Sequence, residues 1–419
     1  ERGDISSANL VSSKAIAENK NPEYIFNEPP KINLPKINNR DNELRKMEEQ
    51  LLSDKVKEEI PQMDPNEYDK GDEVGIWVDN PDGSWSEVET TVRGVGDHSY
   101  ILVDNSMDFI TDEMIQDYVD EFDNKIYDNN TDFYASGHDI DQNEKVMISL
   151  IDMGGPEDGA ITMGYFWGKD FYTQEELNDM GYEGTLYSNE ADIIYLNGAA
   201  LEHDFSAEDH LSTIAHEFQH LQWYYNCWKK DAEHSDTWIN EGMSTYAEQL
   251  NDYTEVDGRI YTYFDDGYTP QLDDISQASL FYWGGNLADY GLSNLFTNYL
   301  TEQYGESILN NVYDDVSAEV SPMDIVESSS NEEMTDIFMN FIVANKLHSL
   351  DLSTEYSYDL SLEGDPVHTS VTSQYNGEVS EIKNSAVKYY KVVGTGQDVE
   401  LDINGSITDQ KVGAFIYRY

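Results

Sequence analysis

Cysteine is almost absent from this chain of 419 residues, which contains only Cys227. A single thiol excludes an intramolecular disulfide, which fits either a cytosolic protein or a bacterial-type secreted enzyme. The sequence also lacks any apolar run near the roughly 20 residues that a membrane-spanning helix needs. These two absences exclude a disulfide-stabilised scaffold and predict that the chain does not insert into a membrane.

Basic side chains are scarce as well: 24 Lys and Arg stand against 84 Asp and Glu, for a net charge of −60. Such a surface repels nucleic acid and anionic lipid, so we expect neither as a partner. The acidic residues are spread along the chain and aromatics make up 12% of it, which argues against bulk disorder. Two explanations of the acidity stay open: a surface adapted to high salt, or the binding of several divalent cations such as Ca²⁺.

Composition and hydrophobic pattern divide the chain into four predicted segments. Residues 1–65 are an N-terminal arm or propeptide remnant, and residues 66–108 are a β-rich segment packed on the main domain. The main domain is residues 109–352, and a C-terminal β module follows at residues 353–419. Within the arm, Leu44, Met47 and Leu51 predict one short helix. The C-terminal module resembles the opening of a small sandwich.

Alternating and continuous apolar patterns predict strands within 72–104, 145–153 and 191–197. Helical spacing predicts helices at "ITDEMIQDYVDEFDNKIY", from Ser206 onward, at "NEGMSTYAEQL", at "LSNLFTNYLTEQYG", after Ser321 and at "MTDIFMNFIVANKL". Ser206 and Asp209 form a capping-box-like start for the second of these helices. Strands come first, helices dominate the middle and strands return at the end, so the predicted fold class is α+β.

The second predicted helix contains the stretch "HEFQH", with His216, Glu217 and His220 in the pattern H-E-x-x-H. Positions four apart lie on one helical face, so both imidazoles can bind one ion. Zinc accepts imidazole nitrogen, and Glu217 lies about 100° round the helix, where it can reach a metal-bound water. By chance alone, a chain of this composition would contain the pattern with a probability of about 1–2%.

A second motif, "DTWINEGMSTYAEQL", follows 20 residues after His220. It places Glu241 at the start of a helix, and a helix antiparallel to the first would carry this carboxylate back to the ion. Two histidines and one carboxylate with an open fourth position form a catalytic zinc set. The sequence therefore predicts a metal site made by His216, His220 and Glu241.

HEFQH followed by W-x-N-E-G-x-S-x-Y-A-E resembles the gluzincin clan of zinc peptidases, and more closely the hyicolysin-like neutral metalloproteases. The resemblance runs from about "GDEVGIWVDN" through "MTDIFMNFIVANKL". It implies zinc held by His216, His220 and Glu241, with Glu217 as the catalytic carboxylate. It also implies a mixed α/β catalytic domain, with a sheet, an HExxH helix and a helical lower half.

The resemblance implies that the protein is a secreted, zinc-dependent neutral endopeptidase. We expect it to act as a monomer on protein or peptide substrates. Aminopeptidases of the clan carry a Gly-Ala-Met-Glu-Asn segment that this chain lacks, which favours endopeptidase action. Two alternatives stay open. One is a surface adhesin on a degenerate protease scaffold, and the other is a zinc hydrolase of non-peptide substrates.

Further residues are candidates for supporting roles. Tyr290, in "LADYGLSNLF", is the candidate oxyanion donor, because similar proteases place a Tyr-Gly there; the alternative is a packing role. Some gluzincins use an acid four residues after the ligand glutamate to orient a histidine, but this chain has Thr245 there. Glu248 is a candidate substitute. The strand "ADIIYLN" is a candidate edge strand for pairing with substrate, with an ordinary sheet strand as the alternative.

One weaker pattern lies outside these motifs, in "GHDIDQNEK". Asp139, Asp141 and Asn143 alternate there, a spacing that suits calcium. The stretch lacks the glycine and terminal glutamate of a full EF-hand loop. A plain acidic turn before a strand is therefore the preferred interpretation.

Overall fold

The computed structural model shows a mixed α+β protein, as the hydrophobic patterns predict. It describes residues 40–347, except 55–62, 64–65, 81–82, 136–138, 157–160, 204, 233–235, 254–258, 261–262, 264–277, 282 and 286, and also residues 368–372 and 389–393. Most of the predicted N-terminal arm and most of the predicted C-terminal β module lie outside the described residues. The four-part division of the chain stays a prediction.

The main sheet has six strands. In chain order they are β1 (Glu73–Asp79), β2 (Trp85–Val95), β3 (Ser99–Asp104), β4 (Val146–Ile151), β5 (Gly164–Phe166) and β6 (Ile193–Asn197). Their spatial order is β1-β2-β3-β4-β6-β5, so the strands before residue 108 share one sheet with those after it. A separate parallel pair joins β7 (His368–Thr372) to β8 (Tyr389–Val393).

The hydrophobic pattern of each strand agrees with its direction and environment in the main sheet. β3, β4 and β6 run parallel to one another, and every residue of β4 and β6 is buried. Parallel strands need both faces covered, which explains their unbroken apolar runs. β1 pairs with β2 in an antiparallel hairpin, and its C-terminal half alternates between buried and partly exposed residues, as expected when one face meets solvent.

The predicted strand "ADIIYLN" forms β6, but its predicted position at the edge of the sheet is wrong. β6 lies between β4 and β5, and the short antiparallel strand β5 ends the sheet instead. Gly164 permits this arrangement, because a Cβ there would lie 2.6 Å from the Tyr195 carbonyl oxygen and 2.7 Å from Thr213 Cγ2. A strand of three residues has too short a pattern to be recognised in the sequence.

The predicted helices are all present among the described residues. The helices are α1 (Arg40–Asp54), α2 (Asp112–Glu121), α3 (Tyr127–Tyr134), α4 (Gln174–Leu177), α5 (Ala207–Lys229), α6 (Thr237–Leu250), α7 (Leu287–Tyr304), α8 (Ser307–Asp315), α9 (Pro322–Ser330) and α10 (Met334–Leu347). A π-helical turn, Phe122–Ile126, joins α2 to α3. None of the helices described is long and apolar enough to span a bilayer.

Local capping signals determine where several helices begin and end. The Ser206 hydroxyl accepts a hydrogen bond from the Asp209 amide, and the Asp209 carboxylate accepts one from the Ser206 amide, which confirms the predicted capping box of α5. Ser321 and Asp324 begin α9 in the same way. Gly305, with φ of 86°, directly follows the last residue of α7; glycine adopts this left-handed conformation readily.

The helix α5 occupies the centre of the molecule. It packs on β5 and β6 with one face and on α6 with another, and α6 packs in turn on α7. Of its 23 residues, 16 are buried, so α5 is a core helix rather than a surface helix. The motif H-E-x-x-H therefore lies in the interior, between the sheet and the helical layer.

His210, in the first turn of α5, contacts both the helix α2 and the end of strand β6. Its Nδ1 lies 3.0 Å from the Tyr118 hydroxyl, and its Nε2 lies 3.0 Å from the Asn197 carbonyl oxygen at the end of β6. The side chain is fully buried, and burial lowers its pKa to about 4. His210 is therefore neutral in the folded protein at neutral pH.

This burial predicts a pH-dependent loss of stability. Because the folded pKa is below the ordinary value of 6.5, the unfolded chain binds more protons between pH 6.5 and pH 4, and the free energy of unfolding falls as pH falls through this window. His210 should contribute a loss of roughly 3 kcal/mol across it. His210→Gln should lose correspondingly less than wild type in urea denaturation of the metal-free protein at pH 7, 6, 5 and 4.5.

The matched control is His203→Gln, which changes an exposed histidine just before α5. This variant should follow the wild-type pH dependence. Equal pH dependence in His210→Gln and wild type would contradict a neutral, buried His210.

Candidate metal centre

Two imidazoles on α5 face the same space. His216 and His220 are one helical turn apart, with ring centroids 4.8 Å apart and ring planes at 77°. Their side chains are 7% and 1% exposed. The helix geometry predicted from H-E-x-x-H is therefore confirmed, and both rings lie in a water-poor interior.

The helix α6 supplies a carboxylate to the same space. Glu241 Oε2 lies 3.4 Å from His216 Nε2 and 3.4 Å from His220 Nε2. Ligand atoms bound at about 2.1 Å to a tetrahedral zinc ion are separated by about 3.4 Å. The spacing between the carboxylate and the two imidazoles therefore suits a metal ion at their centre.

The hydrogen bonding of Glu241 also fits a metal ion. Its Oε2 is buried and accepts no hydrogen bond from any residue that the structure describes. A buried carboxylate oxygen without a partner is strongly unfavourable unless a cation compensates it. Two imidazole nitrogens and one carboxylate oxygen form the donor set of catalytic zinc sites. The residues present thus fit a divalent metal such as zinc.

Each histidine is oriented by a residue of α6 on its other ring nitrogen. His216 Nδ1 lies 2.7 Å from Glu248 Oε1, and Glu248 also accepts hydrogen bonds from Ser212 (2.9 Å) and Arg259 (2.5 Å). These contacts agree with the predicted orienting role of Glu248. They fix the ring so that Nε2 points to Glu241, as in other carboxylate–histidine–metal arrangements.

His220 has a different partner, which sequence reasoning missed. Its Nδ1 lies 2.8 Å from Asn240 Oδ1, so the asparagine of "INEG" orients one ligand while the next residue, Glu241, supplies another. A signal was present: an amide directly before the ligand glutamate, in a buried helix. The sequence pattern alone does not show which way that amide points.

Burial and neighbouring charges shift the pKa values of the cluster in opposite directions. Burial disfavours the charged form of His216, but Glu241 and Glu248 outweigh it and raise its pKa to about 9. Burial lowers the pKa of His220 to about 3, and the charge of Arg45 acts in the same direction. Burial also opposes ionisation of Glu241, but the facing imidazoles and Arg45 hold its pKa well below its ordinary range. Metal binding would therefore release the proton from His216.

Glu217 lies beside the three candidate ligand residues. Its Oε2 accepts a hydrogen bond of 2.9 Å from the amide of Phe166, the last residue of β5, and its side chain is only 6% exposed. This contact fixes one carboxylate oxygen against the end strand of the sheet. Glu217 thus lies next to the three candidate metal ligands rather than among them, and its catalytic role stays a prediction.

A glycine allows α6 to lie close to α7 directly after the ligand. A Cβ on Gly242 would collide with the hydroxyl oxygens of Thr297 and Ser293 on α7. Any larger side chain would push the two helices apart and move Glu241. The glycine of "NEG" therefore has a packing role at the metal centre.

Tyr290, the predicted oxyanion donor, lies near the start of α7. It is 4% exposed, and its ring packs on Trp283 with centroids 4.8 Å apart and planes at 69°. This contact packs the ring against the segment that precedes α7. The role of its hydroxyl stays a prediction.

Two residues of α1 reach the metal centre, and sequence reasoning missed both. Arg45 Nε donates to Glu241 Oε1 over 3.1 Å, and an Arg45 guanidinium nitrogen lies 3.9 Å from Glu217 Oε2. Glu48 pairs with Arg45 at 2.8 Å and accepts a hydrogen bond of 3.0 Å from the amide of Gly168. The sequence predicts the helix but not where it docks.

Comparison with known proteins relates part of the chain to metalloproteases. The chain is similar to the neutral metalloprotease ShpI of Staphylococcus hyicus, with 27% identity over 222 aligned positions. The match covers 49% of this chain and 47% of that protein, so the chain spans about half the length of the relative it matches. No protein-family model matches the chain.

The contact between Glu248 and His216 gives a testable prediction. Glu248→Gln removes the charge that favours the metal-binding orientation and basicity of His216, so zinc affinity should fall by about 10- to 100-fold. Competition with a fluorescent zinc chelator measures this affinity. Asp252→Asn, which removes one exposed charge two residues after α6, should keep the wild-type affinity. Equal affinities in all three proteins would contradict the orienting role.

Proposed function

We propose that this protein is a secreted, zinc-dependent neutral endopeptidase. The carrying observation is the convergence of His216, His220 and Glu241 on one buried point, with Glu217 directly beside it. The partial likeness to a neutral metalloprotease supports the same reaction class. Secretion and neutral endopeptidase action rest on the resemblance of the HEFQH and NEG motifs.

His216, His220 and Glu241 would hold the metal, and Glu217 would carry the proton. A bound zinc ion supplies Lewis acidity, which lowers the pKa of water towards about 7 and polarises a peptide carbonyl. Glu217 accepts the proton of the attacking water and delivers it to the leaving amine. The Phe166 amide donates to Glu217 Oε2 and so fixes the position of the carboxylate that transfers the proton.

The sheet would position the peptide substrate. β5 is the last strand in the order of the main sheet, and its Phe166 amide touches Glu217. An extended peptide that adds to an edge strand forms main-chain hydrogen bonds with it. A substrate added beside β5 would therefore present its main chain to Glu217. This assigns to β5 the substrate-pairing role that the sequence predicts for β6.

Replacement of Glu217 tests the reaction. Glu217→Gln should retain zinc, because Glu217 is not a ligand, and should lower the rate of casein cleavage by at least about 100-fold. Zinc content is measured by elemental analysis, and cleavage sites are mapped by mass spectrometry of a digested protein library. Internal cleavage sites are expected for an endopeptidase.

The matched control is Glu208→Gln, an exposed glutamate on the same helix, which should cleave at the parent rate. Both variants are made in wild type and in Arg45→Ala, because Arg45 lies beside Glu217. Zinc binding without cleavage of any protein in either background would contradict the proposal and favour a binding protein on this scaffold. Cleavage of only non-peptide esters or amides would favour the other hydrolase alternative.

A further inference from the structure

A second cluster of metal-binding groups lies away from the candidate metal centre. Asp139 and Asp141 precede β4, and Asp192 directly precedes β6, the parallel neighbour of β4. One carboxylate oxygen from each of the three lies within 4.8 Å of the others. The cluster thus joins the turn before β4 to the start of β6.

Two of these carboxylates are buried and incompletely compensated. Asp141 is 1% exposed and Asp192 is 2% exposed. The Oδ1 atoms of both are buried and have no hydrogen-bond partner among the residues that the structure describes. Their other oxygens are occupied: Asp192 Oδ2 accepts from the Ile140 amide at 2.8 Å, and Asp141 Oδ2 accepts from the Asn143 side-chain amide at 2.7 Å.

No basic side chain neutralises the cluster within the described part of the chain. Lys145 is close in sequence, but its ammonium group donates to the carbonyl oxygens of Gly96 and Asp97. Asp139 adds a third carboxylate and accepts from the Asn143 amide at 2.8 Å. Buried carboxylates without a cation are strongly unfavourable, so the arrangement requires either bound protons or a bound metal ion.

The geometry points to calcium, and we propose that Asp139, Asp141 and Asp192 bind one Ca²⁺ ion. Oxygen donors alone suit a hard cation, and carboxylates with carbonyl oxygens and water complete its 6–8 ligands at 2.3–2.6 Å. Oxygens on opposite sides of such an ion lie about 4.8 Å apart. The three donors lie within 4.8 Å of one another, so one ion can contact all three. This site ties the turn at residues 139–144 to the sheet and revises the plain acidic turn that the sequence favours.

Calcium titration of the zinc-loaded protein tests this site. In calorimetry, wild type should bind one calcium ion at this site. Asp192→Asn and Asp141→Asn should each bind that ion at least about tenfold more weakly than wild type. Calcium should raise the melting temperature of wild type but not that of the two variants. Without calcium, both variants should melt at or above the wild-type temperature, because each removes an uncompensated buried charge.

Asp108→Asn is the matched control, since Asp108 is an exposed aspartate and its loss should leave the calcium response unchanged. Wild type without a calcium-dependent shift, or variants with the wild-type shift, would overturn the proposal. Tighter binding of Mg²⁺ than of Ca²⁺ would overturn the assignment of the ion. The readouts do not involve proteolysis, so they stand or fall independently of the proposed function.

An independent observation concerns α1, which covers the candidate metal centre. Arg45 and Glu48 are 4% and 2% exposed, although both are charged and lie on a helix of 15 residues. Their burial comes from contacts with Glu241, Glu217 and Gly168. Further along α1, Tyr172 donates to the Leu51 carbonyl oxygen at 3.1 Å. α1 is thus docked over more than one turn.

This docking uses groups that a substrate would need. Glu48 Oε1 accepts from the Gly168 amide, two residues after β5, and Arg45 lies beside Glu217. With α1 in place, Glu217 is only 6% exposed, and the Arg45 guanidinium lies 3.9 Å from its carboxylate, on a side from which a peptide would approach. Glu241 Oε1 faces Arg45 while Oε2 faces the two imidazoles, so α1 obstructs substrate without displacing a metal ion.

We infer that α1 holds the protein in a latent state, an inference that rests on the proposed function. Removing the Arg45 guanidinium leaves Glu48 buried and unpaired, which weakens docking of α1 strongly. Arg45→Ala should raise kcat/KM for a fluorogenic peptide at least about tenfold, and should speed zinc removal by phenanthroline. Lys46→Ala, the adjacent exposed cation on α1, should match wild type in both measurements.

A synthetic peptide of residues 40–54 supplies the converse test. It should inhibit peptide hydrolysis by the Arg45→Ala protein, whereas a synthetic peptide that itself carries Arg45→Ala should not. Equal activity and equal zinc-removal rates in wild type and Arg45→Ala would overturn the latent state and leave the proposed function intact. Faster zinc removal without peptide hydrolysis in any variant would support occlusion by α1 and contradict the proposed function.

Discussion

Compensation of buried carboxylates is the physical constraint on which this structure depends. A chain with 84 acidic and 24 basic residues has few cations for carboxylates that lose contact with water. The buried Glu241 has Arg45 at 3.1 Å, and the buried Glu248 has Arg259 at 2.5 Å. A buried carboxylate that has no such partner needs a proton or a metal ion.

The same constraint relates the metal centre to the aspartate cluster before β4 and β6. In both places an oxygen of a buried carboxylate has no hydrogen-bond partner among the described residues: Oε2 of Glu241 and Oδ1 of Asp192. The donor sets differ, since imidazoles face Glu241 whereas other carboxylates face Asp192. Nitrogen donors favour a transition metal such as zinc, and oxygen donors favour calcium.

The sequence predicted most of the local structure for identifiable reasons, and the residues that it names as candidate ligands come together in the structure. Helical spacing of four residues places His216 and His220 on one face whatever surrounds the helix. The capping box at Ser206 is likewise a local signal. Glu248 could be predicted as a partner for a histidine because it lies on the same helix as Glu241. Asn240 was missed because its orientation depends on how α6 packs against α5.

The amino-acid sequence by itself determined the α+β class, the approximate positions of the helices and the residues able to hold a metal ion, because all three depend on periodicity and short spacings. Only the tertiary structure decided that β5 rather than β6 ends the sheet, that Asp192 joins Asp139 and Asp141, and that α1 covers Glu217. These arrangements join residues that are distant in the chain, such as Phe166 with Ile194, Ile140 with Asp192 and Arg45 with Glu217. Contacts at such separations are fixed by packing, which no local pattern records.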